Sequence, residues 1–341
     1  MRPAICKILL ALALARPASA QSSDVLYEVS VNKILMGTTV ETTARHPDIL
    51  QCRKAVYLAY REMERIENRL SSFKPESEIS GINRAAGIHP VKVSTETFDL
   101  IQRAKSDARR LDGLVDISIG PVTELWGIST DHPATAVPER EAIDARRKLV
   151  DYRNILLDAL NVTVFLPAAG CRLDLGGIAK AYAVDRAAFI LKREGIVRFI
   201  MKAGGDIYVS GRKDAQTDWR VGVQHPREKD SLIARFDLKD AAVSTSGDYE
   251  RYVMIDGQRY HHIMDPRTGF PATSSRSATA LAPTPEEADA LAKYLFVLGY
   301  EKAMESREVA AVPFLIVASD GSIHYNQAFS RISGLEWLDK K

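Results

Sequence analysis

Residues 173–180 read Leu-Asp-Leu-Gly-Gly-Ile-Ala-Lys, a sequence that predicts a strand end, a glycine turn and the start of a helix. A glycine turn lets backbone N–H groups approach an anion closely, and the positive end of the helix dipole adds attraction. Lys180 would place a cation in the first turn of that helix. The segment therefore fits an anion-binding turn, and it also fits an ordinary tight turn without a ligand.

Two further turns carry similar groups. Ala203-Gly204-Gly205-Asp206 follows an apolar strand, and Thr245-Ser246-Gly247-Asp248-Tyr249 offers hydroxyl and amide donors. Three such turns in one chain favour a large polyanionic ligand. They match neither G-x-x-x-x-G-K-[ST] nor G-x-G-x-x-G, which disfavours a P-loop nucleotide hydrolase and a Rossmann dehydrogenase.

Amphipathic helices lie between these turns. Apolar side chains recur on one helical face in residues 48–70, 94–111 and 178–194. A fourth helix has the clearest boundaries, because Thr284 is a good N-cap, Pro285 suits the first helical position and Gly299 suits the end. This helix should cover residues 285–298.

The remaining apolar stretches are β-branched or alternate with polar residues, which predicts strands. These strands are expected at 25–31, 162–166, 196–201, 232–238, 259–264 and 314–318. Helices and strands are interleaved without a regular βαβ order. We therefore expect an α+β fold, with mixed or antiparallel sheets and packed helices.

The composition excludes several classes of protein. The chain has 341 residues, of which 46% are hydrophobic and 26% charged, and its mean hydropathy is −0.14. Disordered, collagen-like and multi-span membrane proteins have different compositions. The charge is nearly balanced, with 46 Lys and Arg against 44 Asp and Glu, so we expect no nucleic-acid partner.

The N-terminus has the pattern of a cleavable signal peptide. Arg2 and Lys7 precede an apolar run at 8–15, and Ala18-Ser19-Ala20 supplies the small residues that signal peptidase requires. The apolar run is too short for a helix across a bilayer core of about 30 Å. We expect residues 1–20 to be removed, the mature protein to begin near Gln21, and the chain to be exported without a transmembrane anchor.

The cysteines leave two alternatives open. Cys52 and Cys171 are the ones that remain after cleavage of a signal peptide. In an oxidising compartment they would be able to form a disulfide, but two unpaired buried thiols fit the sequence at least as well.

The run from Tyr260 to Gly269 combines two histidines, a carboxylate and a guanidinium. His261 and His262 would face opposite sides of a strand, so only one of them should reach a common site. A histidine close to Asp265 would be able to act as a general base that the carboxylate orients. A hydrogen-bonded structural histidine is the alternative interpretation.

A set of motifs in the same order along the chain resembles the ApbE family, the FAD:protein FMN transferases (flavin transferases) of the bacterial periplasm. The matching segments are 36–38, 70–78, 120–127, 173–185, 204–206, 246–251, 262–269 and 288–291. The resemblance implies that residues 21–341 form one α+β flavin transferase domain in the periplasm. Such a protein binds FAD as its substrate, uses Mg²⁺, attaches FMN through a phosphoester to a threonine or serine of a partner redox protein, and releases AMP.

The resemblance also implies roles for individual residues. His262, with Asp265 beside it, matches the catalytic position and would remove the proton from the acceptor hydroxyl. Metal ligands are implied at the Gly177 carbonyl, at Asp289 and at the position of Lys293. The positions that match FAD contacts are Met36, Phe73, Trp126, Gly127, Asp174, Lys180, Ser246, Gly247 and Ile263.

Lys293 departs from the family pattern. Family members usually carry Thr four residues after the aspartate, whereas an ammonium has no lone pair for a metal. Lys293 would instead pair with Asp289 or place its charge near the phosphates, and we expect weakened Mg²⁺ binding. Two hypotheses follow: an active exported flavin transferase, or a non-catalytic FAD-binding protein or assembly factor with a degenerate metal site.

Overall fold

The computed structural model describes residues 25–130 and 133–338, so the signal-peptide prediction for residues 1–20 lies outside the described part of the chain. An eight-stranded sheet organises these residues, and its strand order is β1-β2-β6-β7-β10-β15-β16-β17. The strands are β1 (Tyr27–Leu35), β2 (Thr38–His46), β3 (Val91–Lys92), β4 (Leu156–Asp158), β5 (Thr163–Phe165), β6 (Arg198–Ala203), β7 (Asp206–Ser210), β8 (Trp219–Gln224), β9 (Leu232–Leu238), β10 (Ala241–Gly247), β11 (Tyr252–Ile255), β12 (Gln258–His261), β13 (Met264–Asp265), β14 (Phe270–Pro271), β15 (Ser275–Ala282), β16 (Phe314–Ala318), β17 (Ile323–Tyr325) and β18 (Glu336–Trp337).

Four smaller sheets accompany the large one, with the orders β11-β12, β13-β14, β18-β9-β8 and β3-β5-β4. Neighbouring strands in all of these sheets pair antiparallel within the described residues. The α-helices are α1 (Ile49–Leu70), α2 (Glu78–Arg84), α3 (Thr95–Arg110), α4 (Gly120–Trp126), α5 (Arg140–Arg147), α6 (Ala179–Arg193), α7 (Pro285–Leu298), α8 (Tyr300–Glu305) and α9 (Gln327–Ser330). The expected α+β class is confirmed, with antiparallel sheets.

The large sheet separates two apolar cores. Side chains alternate between its faces along each strand, so Ala242 points into one core and Val243 into the other. Helices α1, α6 and α7 cover the first face, and the β18-β9-β8 sheet covers the second. This arrangement gives three layers, with helices, the large sheet and a small sheet stacked in that order.

The four predicted helices are present, and side-chain caps explain where α1, α3 and α7 begin. Asp48 accepts hydrogen bonds from the backbone N–H groups of Leu50 and Gln51 at the start of α1. At the start of α7, the Thr284 hydroxyl accepts from the N–H of Glu287 at 3.3 Å. The apolar face predicted for residues 48–70 is the face that α1 buries.

The prediction of one continuous strand at 259–264 was wrong, because the structure divides this segment into two strands. Strand β12 ends at His261, and β13 begins at Met264 as part of a separate hairpin. His262 and Ile263 form the connection between them. The break turns this segment away from a regular ladder and leaves the two connecting residues beside the cavity described below.

Cys52 and Cys171 are both free and buried, which settles the choice between the two alternatives for the cysteines. Burial raises the pKa of each thiol. Within the described residues, no helix combines the length and the apolar character that a membrane span requires.

One buried side chain connects α2 to the segment that precedes the Gly176-Gly177 turn. The Asn83 amide donates to the Leu173 carbonyl at 2.9 Å, and its oxygen accepts from the Leu173 N–H at 2.7 Å. This segment is irregular, so it has no neighbouring strand to satisfy both groups. Asn83 therefore makes the hydrogen bonds that a neighbouring strand would otherwise make to the backbone of Leu173.

We expect Asn83→Ala to lower the free energy of unfolding by about 2 to 4 kcal/mol, because two buried backbone groups lose their partner. Urea denaturation of the variant and the parent would measure the change. Asn154→Ala is a matched control at an exposed position, and it should change stability by less than about 0.5 kcal/mol. Equal stabilities for the two variants would contradict the role given to Asn83.

Candidate active site

A cavity of about 270 Å³ opens at one end of the large sheet, and the three glycine turns predicted from the sequence line it together. These are Gly176-Gly177 before α6, Gly204-Gly205 between β6 and β7, and Ser246-Gly247 at the end of β10. The turn between β1 and β2, the segment 114–129, the connection at 262–263 and one face of α7 also contribute to the wall. The fold thus brings together residues from distant parts of the chain.

Close packing explains why residue 205 is a glycine. A Cβ atom at this position would lie 2.3 Å from the carbonyl oxygen of Thr245. That distance is far inside van der Waals contact, so a larger residue would push the β6–β7 turn away from β10. The Asp206 carboxylate next to it is buried and accepts a hydrogen bond from the Ser244 hydroxyl at 2.6 Å.

His262 lies in the cavity wall, and its neighbours determine its protonation. Its Nδ1 lies 3.2 Å from the carbonyl oxygen of Arg251, which can only accept a hydrogen bond. The proton therefore resides on Nδ1, and Nε2 carries the lone pair. Burial, with a smaller contribution from the Lys180 ammonium, lowers the pKa of His262 to about 3, so the ring is neutral at pH 7.

His261 points the opposite way, as the alternation of a strand predicts. Its Nε2 is 2.8 Å from the Ala272 carbonyl oxygen, and its ring packs edge-on against Phe296. Burial lowers the pKa of this histidine as well. His261 is therefore a structural residue below the wall, and His262 is the histidine that faces the cavity.

The prediction that Asp265 orients the histidine was wrong. Its carboxylate instead accepts from the backbone N–H of Arg267 at 2.9 Å and from two nitrogens of the Arg267 guanidinium. The Asp265 backbone carbonyl also accepts from the N–H of Gly269. Asp265 thus holds the turn after the histidines, and the backbone carbonyl of Arg251 has the orienting position.

The turn at 174–180 places charged groups on both sides of the glycine pair. The Asp174 carboxylate accepts from the Gly176 N–H at 2.8 Å and from the Thr123 hydroxyl at 2.9 Å. The Lys180 ammonium donates to the Gly176 carbonyl at 3.0 Å. Burial lowers the pKa of Lys180, and the nearby Asp206 carboxylate opposes that shift.

Three expected FAD-contacting residues lie behind the wall. Met36 has φ = 53° in the two-residue turn between β1 and β2, and its side chain packs against the first core, whereas its neighbour Gly37 lines the cavity. Trp126 is fully buried, stacks on Tyr260 and donates to the Gly269 carbonyl. Gly127 ends α4 with φ = 60° and is absent from the lining.

Apart from Asp265, the other expected site residues line the cavity. They are Phe73, Asp174, Gly177, Lys180, Ser246, Gly247, His262, Ile263, Asp289 and Lys293. Phe73 is 63% exposed, which leaves an aromatic face free at the mouth of the cavity. Their roles toward a ligand stay predictions.

Arg251 and Thr123 are functional candidates that the residue-by-residue reasoning missed. Arg251 lines the cavity, and its guanidinium donates to the Gly37 carbonyl at 2.9 Å. Thr123 lies on α4, where its hydroxyl reaches Asp174. Both residues lie in segments that match the family, 246–251 and 120–127, but the contacts that bring each side chain to the site arise only from long-range packing.

Asp289 and Lys293 form an ion pair on α7, one helical turn apart. Their side chains are only 6% and 20% exposed. Burial raises the pKa of Asp289, and the Lys293 ammonium opposes that shift. The pair lies in the cavity wall beside Gly177.

This arrangement does not fit a divalent metal ion. The Lys293 ammonium donates to one carboxylate oxygen of Asp289 and places a positive charge at a position where the resemblance implies a metal ligand. Within the described residues there is also no group of three or more His, Cys, Asp or Glu side chains able to hold a metal. Mg²⁺ requires several oxygen ligands in near-octahedral geometry. The donor set present here does not supply them.

Comparisons with known proteins agree on one family. The model of the ApbE family matches residues 36–313. The FAD:protein FMN transferase of Klebsiella pneumoniae is 34% identical over 285 residues, covering 82% of this chain and 86% of the relative.

Solved structures lead to the same family. The ApbE protein of Thermotoga maritima superposes with a TM-score of 0.84 and 35% identity, covering 90% of this chain and 99% of the other. The flavin transferase ApbE of Vibrio cholerae superposes with a TM-score of 0.81 and 28% identity, covering 90% of this chain and all of the other.

Proposed function

The chain belongs to the ApbE family, and on that premise we propose that it cleaves FAD and attaches FMN to a hydroxyl of a partner redox protein. The relatives of Klebsiella pneumoniae and Vibrio cholerae named above are flavin transferases, and each matches most of this chain. The observation that carries the proposal is His262, a neutral histidine whose lone pair is on Nε2 in a cavity lined by three glycine turns.

The proposed reaction is redox-neutral. The oxygen of an acceptor serine or threonine attacks the FMN phosphorus, and a new P–O bond forms. The bond between this phosphorus and the bridging oxygen of the pyrophosphate breaks, so the bridging oxygen leaves with AMP. His262 takes the hydroxyl proton, because an alcohol is too weakly acidic to attack unaided at neutral pH.

The remaining groups position and stabilise the substrate. The N–H groups of the glycine turns and the Lys180 ammonium would meet the phosphate oxygens, where negative charge develops during transfer. Phe73 offers an exposed aromatic face to a planar ring at the mouth of the cavity. Mg²⁺, which the resemblance to the family implies, would neutralise phosphate charge, but the donor set of this chain does not fit that ion.

The test uses the mature protein, FAD and an acceptor domain that carries a Ser/Thr flavinylation motif. Fluorescent acceptor on a denaturing gel, with an equal amount of released AMP, is the expected result. AMP with free FMN and no labelled acceptor would indicate hydrolysis by water. Bound FAD with neither product would contradict the transferase function. It would favour the FAD-binding protein or assembly factor, an alternative that the Asp289–Lys293 pair supports.

We propose the periplasm as the place of this reaction. The support is the signal-peptide pattern of residues 1–20. Fractionation of cells that express the full chain, followed by N-terminal sequencing, should find a protein that begins near Gln21. An intact N-terminus in the cytoplasm would contradict this location.

A further inference from the structure

Lys293 occupies the space between Gly177 and Asp289 with a long side chain and a positive charge. A Cβ atom placed on Gly177 would lie 3.2 Å from Cε of Lys293 and 3.7 Å from its Cδ. The ammonium at the end of this chain bonds to the Asp289 carboxylate. The lysine therefore fills the region between the backbone of the Gly176-Gly177 turn and the only carboxylate of α7 in the cavity wall.

The surrounding charges make this ammonium part of the anion site. Lys180 on α6 and Arg251 after β10 are further cations in the wall, which also contains the carboxylates of Asp116, Asp174, Asp206 and Glu250. An ammonium has three N–H donors. One of them bonds to Asp289, so two stay available for phosphate oxygens.

We propose that the Lys293 ammonium is a covalently attached cation that takes the place of a divalent metal ion in this protein. This inference rests on the proposed function, because the anion in question is the pyrophosphate of FAD. That pyrophosphate carries two negative charges, and the N–H donors of Lys293 that Asp289 leaves free would bind its oxygens beside the Lys180 ammonium. FAD binding and cleavage by this chain are then independent of divalent cations.

The first experiment compares the wild-type protein in EDTA and in Mg²⁺. We expect less than about a twofold difference in FAD affinity, measured by quenching of flavin fluorescence, and in the rate of AMP release. Mg²⁺ and Mn²⁺ should leave the melting temperature unchanged. FAD binding that requires Mg²⁺, or a melting temperature that rises with Mn²⁺, would overturn the inference.

The second experiment uses Lys293→Thr, which frees Asp289, with Lys302→Thr as the matched control at an exposed position. We expect Lys293→Thr to lose about 100-fold or more of its AMP release in EDTA and to recover with Mg²⁺, because one charge-stabilising group is missing. Mn²⁺ should raise its melting temperature, since an ion that binds only the folded state stabilises it. A variant with wild-type rates in EDTA would contradict the role of Lys293.

These readouts separate two kinds of failure. If the wild-type protein releases no AMP but binds FAD equally well with and without EDTA, the proposed transfer is wrong. The inference that Lys293 replaces the metal ion is then still supported. If it transfers FMN only with Mg²⁺, the proposed transfer is supported and the inference that Lys293 replaces the metal ion is wrong. The wild-type comparison decides the inference even if Lys293→Thr does not fold.

Discussion

His262→Gln should lower the rate of FMN transfer by about 10²–10⁴-fold, because the acceptor hydroxyl loses its general base. The side-chain amide of glutamine can still donate to the Arg251 carbonyl, so the wall should keep its shape. FAD affinity should change little, since the cations and the glycine turns remain. AMP release and labelled acceptor would be measured together at saturating FAD.

His89→Gln is the matched control for this substitution, because His89 is exposed and lies outside the cavity wall. It should transfer FMN at the wild-type rate. A His262→Gln protein that binds FAD and transfers FMN at more than about a tenth of the wild-type rate would remove this histidine from the mechanism.

Lys180→Met should lower the rate by about 10²–10³-fold, because a cation beside the developing phosphate charge is removed. Methionine keeps the length of the side chain and its apolar packing. The Lys180 ammonium also helps to lower the pKa of His262. Its removal should therefore move the acid limb of kcat/KM to higher pH, a change that mere loss of packing would not produce.

Two measurements check this variant: the dependence of kcat/KM on pH and the rate at neutral pH. Lys302→Met is the control at an exposed position and should match the wild-type protein in both. A slower Lys180→Met enzyme with an unshifted acid limb would mean that the lysine acts on the substrate alone.

The low pKa of His262 also has a consequence for stability. Its folded pKa of about 3 lies below the ordinary value of about 6.5. Between these values the unfolded chain binds a proton that the folded chain does not bind. The contribution of this group to stability is therefore complete above pH 6.5 and declines as the pH falls toward 3.

Local patterns predicted the secondary structure well where the determining contacts are local. Thr284, Pro285 and Gly299 define α7 because capping involves groups only a few residues apart. The division of the 259–264 segment was not predictable in this way, because a separate hairpin with the strand at 270–271 sets it.

The candidate site was predicted in part, and its errors share a cause. The glycine turns and His262 are recognisable from the sequence and meet in one cavity. Asp265 was given the wrong partner, because Arg267, two residues away, competes for its carboxylate more strongly than a histidine on the adjacent wall. Trp126 was expected at the cavity, but only the packing of α4 shows that its ring faces inward.

The hydrogen bond between Arg251 and Gly37 joins residues 214 positions apart, and the one between Asn83 and Leu173 spans 90 positions. Each such contact must overcome the entropy of closing a long loop before it contributes to stability. The helices can form from neighbouring residues, whereas the cavity needs both halves of the chain in register. We therefore expect the cavity to form late in folding, after the local helices. A ribosome-bound chain that ends before residue 251 does not yet contain all residues of the site.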